Sequence, residues 1–179
     1  MLIGQAAILE HLQAISRTCQ VQLEQAKKHG QWPDGSAVGK HLHTPFLEWK
    51  YVLPIVEIRK QVEGRAYYGW VQKAAMNDYV TFTVSKLQPP QKPALKLICR
   101  ITSVEWFKTF EDMLRKCGVH SCLPGFKGPL QEAATLYRSF KTKSDGPQPY
   151  LFSDLEREHG VASIHIVPLT EIRWMDMLD

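Results

Sequence analysis

Apolar residues recur at every third or fourth position over the first 29 residues, which is the period of an amphipathic helix. Gly30 and Pro33 follow this segment, and both residue types end a helix. We predict one N-terminal amphipathic helix, which either packs on the main domain or serves as an arm for a protein partner through residues 1–29. The apolar positions are Ile8, Leu12, Ile15, Cys19, Leu23 and Ala26.

Farther along the chain, apolar and polar residues alternate with the period of a β-strand. Residues 79–84 are β-branched or aromatic throughout, and residues 95–106 resume the strand pattern after a proline-rich connection at 88–93. We expect these two strands to pair as a hairpin. Alternating residues at 61–65 and 161–169 predict two further strands.

Short helices are predicted between the strands. Thr109 is suited to cap a helix over residues 110–116, because acidic residues fill its first turn and basic residues its last. A turn at 123–125 precedes a second helix over 130–140. Pro54 is expected to begin a helical turn after an extended segment. The elements together predict a mixed α+β domain on a small curved sheet.

Composition and charge predict a domain boundary and a basic region of the chain. The chain has 179 residues, 44% of them hydrophobic, which predicts one soluble globular domain. Loop-forming residues at 30–45 divide an N-terminal helix and linker (1–40) from a main domain (41–179). The net charge of +4 is uneven: residues 46–140 hold 14 Lys/Arg against 8 Asp/Glu, whereas residues 141–179 hold 4 against 7. One hypothesis is that the acidic tail after Leu169 competes for a basic cleft.

Several classes of protein do not fit the sequence. No stretch reaches the roughly 18 apolar residues of a membrane helix, and the first residues lack the features of a signal peptide. Neither the His41-x-His43 pair nor the cysteines have the companion ligands of a metal site, so we expect no metal and no cofactor. Reduced thiols in an intracellular protein, cytoplasmic or nuclear, are expected. The four cysteines are Cys19, Cys99, Cys117 and Cys122.

The densest polar cluster is Arg59-Lys60-Gln61-Val62-Glu63-Gly64-Arg65. In a strand, Gln61, Glu63 and Arg65 project from one face, and Lys60 precedes them. A carboxylate between a lysine and an arginine can orient the guanidinium toward a phosphate or a carbonyl oxygen. The alternative is a surface ladder of ion pairs, which contributes at most about 1 kcal/mol. The spacing does not decide between the two.

Aromatic residues follow this cluster directly. Tyr67, Tyr68 and Trp70 precede Lys73, and such interleaving of rings and cations is typical of sites for single-stranded nucleic acid. Arg100 is a further candidate for a phosphate contact. The alternative is that the rings close the ends of the sheet with their polar tips in water.

The polar cluster resembles the G-x-K-T-V-E-x-R signature of ASCH domains, the activating signal cointegrator homology family, which has a PUA-like fold. Similar segments follow in order: NDYVTF at 77–82 resembles G-D-x-I-x-F, and residues 104–114 resemble v-x-x-y-x-S-F-e-e-M-L. Further matches are the loop at 123–125, the helix at 132–137 and HGVASI at 159–164, which is similar to the closing G-V-v-a-i strand. Gln61 replaces the usual threonine, and Asn77 replaces the usual glycine.

This resemblance covers residues 45–169 and implies a small PUA-like (ASCH) β-barrel with inserted short helices and an N-terminal helical extension. It implies a module that binds RNA or a nucleotide, in transcription coactivation, RNA processing or translation. Lys60, Glu63 and Arg65 would line its cleft. The expected partner is single-stranded RNA or a nucleotide, with phosphates on the cations Lys60, Arg65, Lys73 or Arg100 and bases on the rings of Tyr67, Tyr68 or Trp70.

Some members of the family are hydrolases that act on N4-acetylcytidine or on RNA. The alternative function is therefore hydrolysis, with Lys60 and Glu63 as base and acid and Arg65 as a charge stabiliser. The amidohydrolase branch has a threonine where this chain has Glu63, so a threonine hydroxyl is missing. Glu63 also opposes the lowered pKa that Lys60 needs as a base. We therefore favour binding over catalysis.

Overall fold

The computed structural model describes residues 2–42, 45–85, 95–142 and 149–170. The helices are α1 (Leu2–His29), α2 (Val52–Val56), α3 (Phe110–Cys117), α4 (Val119–Cys122), α5 (Leu130–Arg138) and α6 (Phe152–His159). The strands are β1 (Phe46–Glu48), β2 (Val62–Ala66), β3 (Tyr79–Ser85), β4 (Lys96–Phe107) and β5 (Val161–Pro168). Two 3₁₀ helices cover Trp49–Tyr51 and Gly69–Lys73.

The five strands form one curled half-barrel sheet in the order β1-β3-β4-β5-β2. The predicted hairpin of β3 and β4 is confirmed, and both remaining antiparallel pairs include β5. β1 adds a parallel strand beside β3, which sequence reasoning treated as an extended lead to a helical turn. The fold is therefore mixed α+β, as predicted, with β2 at one edge of the sheet.

The N-terminal helix α1 packs against β4. Its predicted apolar stripe is confirmed from Leu12 to Ala26 and belongs to the same hydrophobic cluster as β3 and β4. The helix ends as expected, before Gly30 with its φ of 70°. Trp32 in the next segment is fully buried, and its Nε1 donates to the Asn77 carbonyl at 3.0 Å. A protein partner for residues 1–29 stays a prediction, as does a boundary at residue 40.

A second hydrophobic cluster joins α3, α5 and α6 to β2 and β5. The predicted cap of α3 is confirmed, since the Thr109 hydroxyl accepts from the Asp112 amide at 3.1 Å and Gly118 ends the helix. Helices α4 and α6 were not predicted, because each is short and mostly polar. Pro54 lies at the third position of α2 rather than the first, where its missing N–H still costs no helical hydrogen bond.

Four sequence predictions concern residues outside the described part of the chain. They are the connection at 88–93, most of the loop at 142–149, the acidic tail after residue 170, and the His43 member of the histidine pair. Within the described ranges, no helix combines the length and apolar character needed to cross a membrane.

The turn between α2 and β2 contains a strained residue. Ile58 has a φ of 58°, and the amides of Arg59 and Lys60 both donate to the Pro54 carbonyl at 2.8 Å. This left-handed position after a helix usually holds glycine, because a β-branched side chain is strained there.

We expect Ile58→Gly to raise the free energy of unfolding by about 0.5–1 kcal/mol, since relief of the left-handed strain exceeds the added entropy of the unfolded chain. Urea denaturation measures this difference. Ile58→Ala is the control, because alanine keeps the strain while removing the same exposed side chain. A glycine variant no more stable than the alanine variant would contradict the prediction.

Candidate functional site

The predicted cluster on β2 forms a continuous line of charge. Glu63 lies between two cations: its Oε2 is 3.1 Å from Lys60 Nζ, and its Oε1 is 2.7 Å from an Arg65 terminal nitrogen. The Lys60 and Glu63 side chains are 4% and 10% exposed, and that of Arg65 is 23% exposed. The cluster is therefore buried, and the alternative of a surface ladder of ion pairs is wrong.

Lys60 is fully engaged within the protein. Its Nζ also donates to the carbonyls of Val62 at 2.8 Å and Cys122 at 2.7 Å, and it lies 5.6 Å from the centre of the Tyr51 ring. With Glu63, these contacts use all three donors of an ammonium group. Lys60 thus holds Glu63 and joins the end of α4 to the start of β2.

Glu63 is held in its charged form by this environment. Burial by itself would raise the pKa of the carboxyl, but the charges and hydrogen bonds of Lys60 and Arg65 lower that pKa below its ordinary value. A carboxylate fixed in this way orients the guanidinium of Arg65. The Nε of Arg65 is buried and has no hydrogen-bond partner among the described residues.

Strand register places Trp106 in the same row as Arg65, with one strand between them. Arg65 lies opposite Ala162 on β5, and Ala162 lies opposite Trp106 on β4, so the three residues form one row on one face of the sheet. Ala162 is small and fully buried, whereas Trp106 is 54% exposed. Sequence reasoning did not identify Trp106 as a site residue, because its neighbour in the row is distant along the chain.

The indole of Trp106 is fixed in place while exposed. Its Nε1 donates to the His159 carbonyl at 3.0 Å, and the ring lies over Gly160, where an added Cβ would come within 2.6 Å of that same Nε1. A ring held on one side and open on the other needs no ordering before another flat group stacks on it. Trp106 is therefore a preorganised aromatic surface in the same row as an arginine.

The aromatic residues predicted after β2 divide into two groups. Tyr67 and Trp70 are partly buried and pack against the main hydrophobic cluster. Tyr68 is 40% exposed, stacks on His159 with ring centres 5.4 Å apart, and contacts the edge of Tyr150 at 5.9 Å. His159 also accepts the Trp106 hydrogen bond through its carbonyl. Tyr68, Tyr150, His159 and Trp106 are named the aromatic patch below.

The remaining two predicted cations are separate from the β2 cluster. Lys73 is exposed at the end of the 3₁₀ helix that follows β2. Arg100 is engaged elsewhere: it donates to Asp34 at 2.8 Å and to the Asn77 side chain at 2.6 Å. Arg100 also lies 5.3 Å from the centre of the Trp32 ring. Its contacts hold the segment after α1 on the sheet.

The turn before β3 places Asn77 in the left-handed region. Asn77 has a φ of 74°, which asparagine tolerates better than other non-glycine residues. The chain therefore makes this turn without glycine. Among the described residues, no group of three His, Cys, Asp or Glu side chains could hold a metal ion.

Two solved structures of archaeal proteins share this fold. Hypothetical protein PH0355 has a TM-score of 0.54 and 25% sequence identity, over 73% of this chain and 99% of that chain. Protein PF0455 from Pyrococcus furiosus, solved by NMR, has a TM-score of 0.52 and 24% identity over the same shares. No family model and no curated protein matches the chain. The likeness establishes a mixed α+β half-barrel fold that this chain has in common with both proteins.

Proposed function

We propose that this protein is a PUA-like, ASCH-type module that binds single-stranded RNA or a nucleotide inside the cell. The observation that carries the proposal is the row of Arg65 and Trp106 across Ala162, extended by the exposed ring of Tyr68. An arginine aligned by a carboxylate is suited to a phosphate or a base edge, and open rings are suited to stacking on bases.

Charge supports an anionic ligand. Arg65, Tyr68 and Trp106 lie within residues 46–140, which hold 14 Lys/Arg against 8 Asp/Glu. Arg65 and Lys73 are the cations of the predicted set that remain for phosphate contacts, since Arg100 is paired with Asp34 and Lys60 is buried. The proposed binding surface consists of Arg65 and the aromatic patch, with Lys60 and Glu63 as supports beneath Arg65, and exposed Lys73 is a further cation for the phosphates that follow.

The alternative hydrolase reading has weaker support. A general base needs a lone pair, but Lys60 uses its three donors on Glu63 and two backbone carbonyls. Glu63 is charged and paired on both oxygens, so it has no proton to donate as an acid. The protein would be a hydrolase, contrary to the proposal, if it turned over N4-acetylcytidine or cleaved RNA and if this activity were lost in Lys60→Ala.

The test is titration of a fluorescent single-stranded RNA at several salt concentrations. Each phosphate contact adds about 0.7 to the slope of log K against log salt, so Lys73→Ala should lower the slope by about that amount. Trp106→Ala should weaken binding by about 1–3 kcal/mol, roughly 5- to 150-fold, through loss of base stacking.

Trp106→Phe and Lys127→Ala are the matched controls. Phenylalanine keeps a stacking ring and should restore most of the affinity that alanine loses. Lys127 is exposed and lies outside the row, so its removal should change the affinity less than that of Lys73. RNA affinity that is absent, independent of salt, or equal in the alanine and wild-type proteins would overturn the proposed function.

A further inference from the structure

Two cysteines meet on the face of the sheet opposite to Arg65. α3 ends at Cys117, the chain reverses at Gly118 with a φ of 83°, and α4 ends at Cys122, so that both cysteines pack in the second hydrophobic cluster and their side chains interact. Ser163 and His165 on β5 lie beside Cys117. These two alternate along the strand with Ala162 and therefore project to its other face.

The two sulfurs differ in character. The interaction with Cys122 lowers the pKa of Cys117 to about 6, aided by His165 and opposed by partial burial. The pKa of Cys122 is raised by its interaction with Cys117 and by burial. Cys117 is half-buried, whereas Cys19 and Cys99 are fully buried and have raised pKa values. A thiolate that solvent reaches, in contact with a thiol, is the arrangement of a reactive and a resolving cysteine.

We propose that Cys117 and Cys122 are a peroxide-oxidised dithiol whose disulfide alters the Lys60–Glu63–Arg65 cluster. The Cys117 thiolate attacks one oxygen of hydrogen peroxide, the O–O bond breaks, and the departing hydroxide takes a proton to become water. The Cys122 sulfur then attacks the resulting sulfenic acid, the S–O bond breaks, and the hydroxyl leaves as water with the Cys122 proton. The two sulfurs lose two electrons in total, and the peroxide gains them.

The disulfide is connected to the β2 cluster through α4. The Cys122 carbonyl accepts the 2.7 Å hydrogen bond from Lys60 Nζ, and the neighbouring Ser121 carbonyl accepts from the Gln61 amide at 3.1 Å. A sulfur–sulfur bond of about 2.05 Å is far shorter than a hydrogen-bonded contact between thiols, so its formation must displace Cys122 or Cys117. Displacement of Cys122 moves an acceptor of Lys60, and Lys60 positions Glu63 beneath Arg65.

Oxidation of the full-length protein with hydrogen peroxide at neutral pH tests the pair directly. Trypsin releases residues 117–127 as one peptide that contains both cysteines and ends at Lys127. We expect this peptide to become lighter by two hydrogen atoms, roughly tenfold or more faster than Cys19 or Cys99 is modified, and a dithiol reductant to restore it.

Two variants separate the roles of the sulfurs. Cys122→Ser should stop at a sulfenic acid on Cys117 that dimedone traps, and Cys117→Ser should leave the peptide unoxidised. Both variants should keep the thermal transition of the wild type, because serine is close in size and the Cys122 carbonyl remains. Equal oxidation rates for all four cysteines, or disulfides between different molecules, would overturn the proposal.

The link to the cluster has its own measurement, which does not depend on RNA. The ¹⁵Nζ resonance of Lys60 should shift when the wild type is oxidised and stay fixed in Cys117→Ser treated in the same way. An unchanged Lys60 resonance with a complete disulfide would overturn the link.

The regulatory consequence rests on the proposed function: we expect at least a threefold change of RNA affinity on oxidation. RNA binding that is absent in both redox states, with the Lys60 resonance shifted, would overturn only the proposed function.

Discussion

Substitution of Glu63 by glutamine is expected to lower the free energy of unfolding by about 3–5 kcal/mol, because it leaves two cations without their counter-charge in a buried site. Lys60 and Arg65 lie 3.1 Å and 2.7 Å from the two Glu63 oxygens, and the Lys60 side chain is 4% exposed. Glutamine keeps the shape of the side chain and one acceptor oxygen, so the loss of stability measures the contribution of the negative charge. Urea denaturation at pH 7 gives the difference.

Glu57→Gln is the matched control on the same turn. Glu57 pairs with Arg59, but both side chains are more than half exposed, so solvent screens the pair. We expect the control to change the free energy of unfolding by less than about 0.5 kcal/mol. Similar effects of the two substitutions would show that the Lys60–Glu63–Arg65 cluster has no special role in stability.

The difference in stability between wild type and Glu63→Gln is also expected to depend on pH. The pKa of Glu63 is lower in the folded protein than in the unfolded chain, so the folded state favours the charged form. The associated stability is fully present above the unfolded pKa of about 4.3 and is lost as the pH falls through the lower folded pKa. The stability difference between wild type and Glu63→Gln should therefore narrow below about pH 4. A constant difference between pH 7 and pH 3 would contradict the charged state of Glu63.

Gly160→Ala is expected to lower the free energy of unfolding by about 3–5 kcal/mol, the sum of backbone strain and overpacking. Gly160 has a φ of 76° and a ψ of −161°, a combination that is essentially restricted to glycine. An added Cβ would also come within 2.6 Å of the Phe107 carbonyl oxygen and of Trp106 Nε1. The carbonyl belongs to β4 and cannot move without disturbing the sheet, so the indole must be displaced.

Gly125→Ala separates the two contributions. Gly125 has a φ of 84°, yet nothing lies within 4 Å of an added Cβ, so this control keeps strain and removes the clash. It should cost only about 1–2 kcal/mol. Thermal unfolding of both variants, with the indole N–H NMR resonance of Trp106 as a local probe, tests the prediction. Equal losses would mean that Trp106 does not pack on Gly160 in solution.

Local patterns predicted a large part of the fold. The stripe of α1, the β3–β4 hairpin and the Thr109 cap depend on residues close together in the sequence or on strong alternation, and all are present. The placement of the charged residues of β2 was also predictable from the sequence, because a two-residue period puts Glu63 and Arg65 on one face of the strand. The pattern could not predict α6, whose few apolar residues become a buried face only against α5 and β2.

The sequence by itself therefore determined α1, the β3–β4 hairpin, the cap of α3 and which charged residues share β2. Tertiary structure alone decided that Lys60 is buried under the carbonyl of Cys122, that Arg100 is paired with Asp34, and that Trp106 lies in line with Arg65. The physical reason is the range of the interactions. Periodicity and capping act over a few residues, whereas burial, strand register and hydrogen bonds between distant segments exist only once the sheet has closed around its core.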